Sequence, residues 1–209
     1  MPQEENSNKH ILNDLILFLH KKESIKIGDF VLSSGKKSKF YLDLRILQSY
    51  PIYFRMGIFL LKQYIIRNIG LDAFDCICSI PTSGTVFGSA ISYDLFKPHI
   101  YVRKNIKNYG TQKTFEGDFV QNSRILFIDD VITTGNSLIS SINLLKSKSV
   151  IKDVLVFVDR EQGSEELMKA NGINTHKIIS MSHIFETLYS NKLISGKDYL
   201  DLKNELEKT

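Results

Sequence analysis

The stretch Arg124-Ile125-Leu126-Phe127-Ile128-Asp129-Asp130-Val131-Ile132-Thr133-Thr134-Gly135-Asn136-Ser137 constrains this chain more than any other. It opens with four apolar residues, two of them β-branched, the pattern of a strand buried on both faces of a parallel sheet. Asp129 and Asp130 follow, where the strand is expected to leave the core. A short turn rich in hydroxyls comes next, and then Leu138, Ile139, Ile142, Leu144 and Leu145 recur at helical spacing. In open α/β sheets ligands bind outside the carboxyl ends of the strands, at places built this way.

Each residue type has a physical task there. Residues 133–137 present backbone N–H groups and the hydroxyls of Thr133, Thr134 and Ser137 at a helix N-terminus, a place suited to a phosphate. Gly135 can take the positive φ of a tight cradle. The two carboxylates would repel a phosphate, so they suit a neutral hydroxylated group or a cation. A ribose 5′-phosphate offers both, its diol to the carboxylates and its phosphate to the turn. An aspartate cap with an ordinary turn would explain one Asp and the Gly, but neither the second Asp nor the hydroxyls.

At 209 residues the chain suits one α/β domain with additions. Its net charge of +4 leaves no strong nucleic-acid footprint. No apolar run approaches the roughly 18 residues of a membrane span, and the polar start is unlike a signal peptide. A soluble, cytoplasmic protein is expected. Cys76 and Cys78, two apart in an apolar run, would share one face of a strand as buried free thiols.

In chain order, residues 9–22 read as an amphipathic helix. Ile25–Leu32 and Phe40–Leu44, joined by a short polar turn, read as a hairpin outside the main sheet. A helix is expected from Pro51, then a core strand over 74–80 ended by Pro81-Thr82-Ser83-Gly84, and a helix after it. Strand 100–102 runs into residues 103–113, whose four cations and glycine predict an exposed loop. Strand 154–158 ends at Asp159-Arg160-Glu161; taken alone this is a surface charge cluster, but the planar fork of Arg160 could also grip a carboxylate. Helix 164–171, a short apolar run at 177–179 and helices near 182–189 and 197–207 complete the chain, the last started by the Ser195/Asp198 pair. The expected fold is α/β, a doubly wound, mostly parallel five-stranded sheet with an N-terminal helix and hairpin hood. Its parts would be the hood at about 1–45, the core at about 50–180 and C-terminal helices at about 182–207.

Residues 128–135 resemble the phosphoribosyl-pyrophosphate (PRPP) motif of the type I phosphoribosyltransferases. Residues 30–38 are similar to the segment with which orotate phosphoribosyltransferases cover the base. Arg103, Lys104, Lys107 and Gly110 match the catalytic loop of those enzymes, with Tyr109 where many bacterial members place a histidine. The resemblance spans roughly residues 28–163 and implies transfer of a phosphoribosyl group from PRPP to orotate. It implies that Asp129 and Asp130 take the ribose diol and that Val131, Ile132, Thr133, Thr134, Gly135, Asn136 and Ser137 cradle the 5′-phosphate. Thr82, Ser83 and Gly84 would hold pyrophosphate through their backbone, and Arg103, Lys104, Lys107 and Tyr109 would approach it from the loop. Ser33, Tyr41, Leu42, Thr133 and Arg160 would bind orotate. Thr82 and Ser83 replace an aromatic residue and a lysine carried by many relatives. The resemblance further implies Mg²⁺ held through substrate pyrophosphate rather than by a protein cage, and a homodimer whose catalytic loop serves the neighbouring site. The competing readings are a purine phosphoribosyltransferase, and a PRPP-sensing regulator that binds nucleic acid without catalysis.

Overall fold

The computed structural model describes residues 2–31, 37–103 and 114–207, with side chains from Ser7 onward. The chain divides into two compact units, residues 61–178 and residues 1–60 together with 179–209.

The larger unit is built on the central sheet. Its strands are β3 (Cys76–Ser79), β4 (His99–Val102), β5 (Phe115–Glu116), β6 (Arg124–Ile132), β7 (Val150–Asp159) and β8 (Asn174–Ser180), in the order β5-β4-β3-β6-β7-β8. The sheet therefore has one strand more than the five expected. The addition is β5, two residues antiparallel to the edge of β4, too short to show a hydrophobic period. β3 runs parallel to both β4 and β6, and β6 parallel to β7. The chain leaves β3 for β4 on one side and returns to β6 on the other. The carboxyl ends of β3 and β6, in register at Ser79 and Ile128, thus flank a topological switch point.

Helices explain why the strands read as continuous apolar runs. Cys76, Cys78, Ile125, Phe127, Val154 and Val156 pack with Leu138, Ile142 and Leu145 of α4 (Asn136–Leu145) and Met168 of α5 (Ser164–Ala170). Residues of the opposite parity meet α3 (Ser83–Leu95), where Phe87 and Phe157 approach to 5.6 Å between ring centroids. Both cysteines are free and share the first face, as their spacing requires, and burial pushes the Cys76 thiol up to about 11.

The second unit contains α1 (Pro2–Lys21) and the antiparallel hairpin β1 (Ile25–Val31) and β2 (Lys37–Leu42), which form a two-stranded sheet of their own. The start of α2 (Pro51–Tyr64), α6 (Met181–Ser190) and α7 (Gly196–Glu207) accompany them. Phe40 of β2 is fully buried edge-on against Phe185 of α6, 5.1 Å between centroids. Glu205 of α7 accepts from Ser38 Oγ at 2.8 Å and from the Lys39 amide at 2.7 Å, which satisfies an edge-strand donor. The C-terminal helices thus belong with the hood. The Ser195/Asp198 start signal forms as read, the Asp198 amide donating to Ser195 Oγ at 3.1 Å.

Gly88 lets α3 lie close on the sheet. A Cβ there would come within 2.6 Å of Ser79 Cβ and 2.9 Å of His99 Nε2. Those side chains are themselves joined, Ser79 Oγ to His99 Nε2 at 2.8 Å, and burial lowers the His99 pKa. Gly88→Ala is expected to cost about 1–3 kcal/mol through overpacking, despite the better helix propensity of alanine, as measured by urea denaturation.

Candidate active site

The two strand ends at the switch point each lead into a helix. β6 does not stop before its acidic pair. It continues through Asp129 and Asp130 to Ile132, because β7 runs equally far and pairs Asp129 with Val156, Val131 with Val158 and Ile132 with Asp159. Gly135 then adopts φ +83° and ψ −6° as the cap of α4, the left-handed conformation that favours glycine. The first amides of α4 have no acceptor within the helix and face a cavity of about 220 Å³ lined by Ile80, Pro81 and residues 129–138. Asn136 Nδ2 donates to Thr134 Oγ1 at 3.2 Å, tying the turn together.

The adjacent carboxylates differ. Asp129 is only 9% exposed and Asp130 is half-buried. Asp129 Oδ1 accepts from the Asp130 amide at 2.9 Å. Burial first, and then the charge of Asp130, push the Asp129 carboxyl well above the usual carboxylate range. Asp129 lies against the start of α3. A Cβ on Gly84 would overlap Asp129 Oδ1 and come within 3.2 Å of Asp129 Cα. Gly84 is therefore glycine for closeness, and the loop after β3 and the acidic pair near the end of β6 form one site.

In that loop Thr82 caps α3, which starts at Ser83, and the Pro81–Thr82 peptide is cis. The Ser83 side chain is 8% exposed, and its Oγ has no hydrogen-bond partner, nor has the buried Thr85 Oγ1. Buried polar atoms are nearly always satisfied, so these hydroxyls beside a helix N-terminus fit an anionic ligand.

Arg160 follows β7 directly, and its amide donates to the carbonyl of Ile132 at 2.9 Å, which sets it beside the turn at residues 133–137. The Asp159-Arg160-Glu161 run is not a surface cluster, since Asp159 is 3% and Arg160 6% exposed. Asp159 anchors the turn by accepting from the Glu161 amide at 2.8 Å, Ser164 Oγ at 3.3 Å and Lys177 Nζ at 2.9 Å. Nothing in the sequence linked Asp159 to Lys177, since 18 residues separate them. Arg103 continues β4, its amide donating to the carbonyl of Thr114 at 2.9 Å, and its Nε donates to Glu116 Oε1 at 2.6 Å. Tyr41 and Leu42 lie in β2 of the other unit, where Tyr41 Oη accepts from Arg45 Nη2 at 3.1 Å and Leu42 is buried. Ser33, Lys104, Lys107 and Tyr109 lie outside the described residues.

Among the described residues no three His, Cys, Asp or Glu side chains converge as metal ligands. The oxygen donors of Asp129 and Asp130 fit a hard cation such as Mg²⁺ only as a partial set, to be completed by substrate and water.

The raised pKa of Asp129 has a definite sign for stability. Below the unfolded value of about 4 both states are protonated and the site costs nothing. As pH rises toward the folded pKa, the unfolded state ionises first and stability falls. Asp129→Asn should therefore melt at a higher temperature than the parent protein, with an advantage that grows as pH rises above about 4 in thermal denaturation of ligand-free protein. An advantage independent of pH would refute this account.

Comparison with known proteins agrees with this architecture. Residues 55–186 match the model of the phosphoribosyl transferase domain family. The orotate phosphoribosyltransferase of Cenarchaeum symbiosum is 39% identical, covering 86% of this chain and 90% of its own. That of Staphylothermus marinus is 34% identical, over 97% of this chain and 98% of its own. Among solved structures, orotate phosphoribosyltransferase from Aeropyrum pernix superposes with a TM-score of 0.75 at 32% identity, covering 83% of this chain and 97% of that one. Leishmania donovani UMP synthase gives a TM-score of 0.83 at 25% identity, over 94% of this chain and 42% of that longer one. With a mostly parallel sheet whose switch point carries two small-residue loops and an acidic pair, the chain belongs to the phosphoribosyltransferase family, among the orotate phosphoribosyltransferases.

Proposed function

We propose that the protein transfers the 5-phosphoribosyl group of PRPP to orotate, releasing pyrophosphate and giving orotidine 5′-monophosphate for UMP synthesis. The observation that carries this reading is the juxtaposition of Asp129–Ser137, the Thr82–Gly84 loop and Arg160 around one switch point. The 5′-phosphate suits the amides and hydroxyls of residues 133–137, and the ribose diol suits Asp129 and Asp130, of which Asp130 is the more accessible. As pyrophosphate leaves, C1 of the ribose takes on oxocarbenium character. Fixed carboxylates in a poorly solvated place favour that developing positive charge, and positioning supplies most of the remaining catalysis.

Pyrophosphate would rest on the backbone and hydroxyls of Thr82, Ser83 and Gly84, with Arg103, Lys104 and Lys107 neutralising its charge and Tyr109 nearby. Mg²⁺ would be held through substrate oxygens with a carboxylate of the acidic pair, and would offset charge on the leaving group. Orotate carries a carboxylate that purines and uracil lack, and Arg160 is the cation suited to it. Thr133, in the same unit, would complete the orotate contacts of Arg160. We also assign the protein to the cytoplasm and to a homodimer in which Arg103, Lys104 and Lys107 serve the neighbouring subunit. No described helix is long and apolar enough to cross a membrane.

The direct test follows ultraviolet absorbance with orotate, PRPP and Mg²⁺, beside adenine, hypoxanthine and uracil. Loss of orotate absorbance that requires both PRPP and protein is expected, and turnover of a purine alone would overturn the base assignment. Binding of PRPP without turnover of any base would favour the regulator, which a salt-dependent gel shift on nucleic acid would reveal. Arg160→Ala should raise the KM for orotate by roughly tenfold to a hundredfold, since a hydrogen bond to a charged group is worth about 1.5–3 kcal/mol. PRPP binding, measured by calorimetry, should change little. For the shared loop, inactive Lys104→Ala subunits mixed with inactive Asp129→Asn/Asp130→Asn subunits should recover activity in verified mixed dimers.

A further inference from the structure

The most telling group without a role is Lys177 of β8, the strand next to β7 in the sheet. Its Nζ donates to Asp159 Oδ2 at 2.9 Å. The other oxygen of that carboxylate, Oδ1, accepts from the Glu161 amide at 2.8 Å and from Ser164 Oγ at 3.3 Å. Asp159 is almost wholly buried, and a carboxylate in such a place needs a counter-charge as well as hydrogen-bond donors. Lys177 supplies the charge. Burial works against its ammonium, but Asp159, Glu161 and Glu165 outweigh that and raise its pKa.

This carboxylate holds the backbone around Arg160. The Arg160 amide is bonded to the carbonyl of Ile132, which is level with Asp159 across β6 and β7. The next amide, that of Glu161, is bonded to Asp159. Glu161 has φ +55°, a left-handed conformation that a residue with a Cβ keeps only where its surroundings enforce it. Gly163 is left-handed as well, and α5 begins after it at Ser164. The chain thus turns sharply just after Arg160, and the Asp159 side chain closes that turn from residue 159 to residue 164. The rotamers open to Arg160 follow from its backbone, so the direction of its guanidinium depends on an acceptor that Lys177 keeps ionised.

We propose that Lys177 is a positioning residue for base recognition, which neutralises Asp159, fixes the turn at residues 159–164 and so aims Arg160 at the carboxylate of the base. The inference rests on the assignment of Arg160 to the orotate carboxylate. Lys177 touches no substrate and acts through Asp159. Its loss leaves a buried carboxylate without a counter-charge beside Glu161. A carboxylate in that state takes up a proton or draws in water, and in either form it ceases to be a fixed acceptor for the Glu161 amide.

The test measures initial rates of the full-length protein with Mg²⁺, varying orotate and PRPP separately, with PRPP binding by calorimetry as the check that each variant is folded. Lys177→Met is expected to raise the KM for orotate roughly three- to tenfold, less than Arg160→Ala, because a misaimed guanidinium loses only part of a charge-assisted hydrogen bond. The KM for PRPP and its binding should stay near the parent values, and Lys177→Arg, which keeps the charge, should stay near the parent KM for orotate. Asp159→Asn in the Lys177→Met background removes the unpaired charge and keeps an oxygen for the Glu161 amide. That double variant should therefore bring the KM for orotate back toward the parent value, and it carries the test alone if Lys177→Met does not fold. An unchanged KM for orotate in Lys177→Met overturns the proposal, as does an equal rise for orotate and PRPP, the mark of general structural damage. A double variant as impaired as Lys177→Met also overturns it, since Lys177 would then act on orotate by its own charge. If Arg160→Ala leaves the KM for orotate unchanged, the assignment of Arg160 itself fails. An effective Arg160→Ala beside an inert Lys177→Met removes only the role of Lys177.

Discussion

The close approach of Gly84 to Asp129 is the contact on which the site depends. It joins the first turn of α3 to the acidic end of β6 with no room for a side chain, so the loop after one strand and the cradle after the next are held as a single surface. Asp129 is left buried beside a like charge, with one amide from Asp130 as compensation. A carboxylate in such surroundings is expensive when ionised, and the protein gains nothing structurally by placing it there. A ligand that brings hydroxyl donors, and later positive charge, relieves that cost. The site thus tolerates a carboxyl whose ionisation is costly, as functional sites often tolerate strain.

The fold makes this arrangement economical. Parallel strands deliver two helix N-termini to the same edge of the sheet, and the reversal of winding between β3 and β6 opens a crevice there. The neighbouring strands supply the remaining groups by simple extension. β7 runs as far as β6 and hands Arg160 to the rim, its turn anchored by the buried Asp159 and by Lys177 from β8. β4 runs past β3 and hands over Arg103, restrained by Glu116. The turn at residues 133–137, Arg160 and Arg103 each follow from one strand end. The second unit, with its own hairpin sheet and its core around Phe40 and Phe185, keeps Tyr41 and Leu42 in a regular strand.

The comparison between sequence and structure turns on range. The β6–α4 segment was readable because its information is local: an apolar run, two acids, a glycine with positive φ and a helical period follow within 22 residues. The same holds for the paired burial of Cys76 and Cys78, for the hairpin, for the Pro51 helix start and for the Ser195/Asp198 cap. β5 escaped because two residues carry no period, and only the edge of β4 makes them a strand. The extension of β6 through Asp129 and Asp130 escaped because the partner strand imposes it, against the low strand preference of aspartate.

What the sequence by itself determined is the winding of the sheet, the strand–turn–helix arrangement over residues 125–145 and the family to which the chain belongs. All three are written in side-chain period and in contiguous motifs. Only the tertiary structure decided that Asp129 is buried while Asp130 is open, that Arg160 is inside rather than on the surface, and that Arg103 is held by Glu116. Those properties depend on desolvation and on partners distant in sequence, 13 residues away for Arg103–Glu116 and 18 for the Asp159–Lys177 pair that anchors the Arg160 turn. A one-dimensional pattern does not encode such distances, because burial is a property of the packed neighbours and not of the residue.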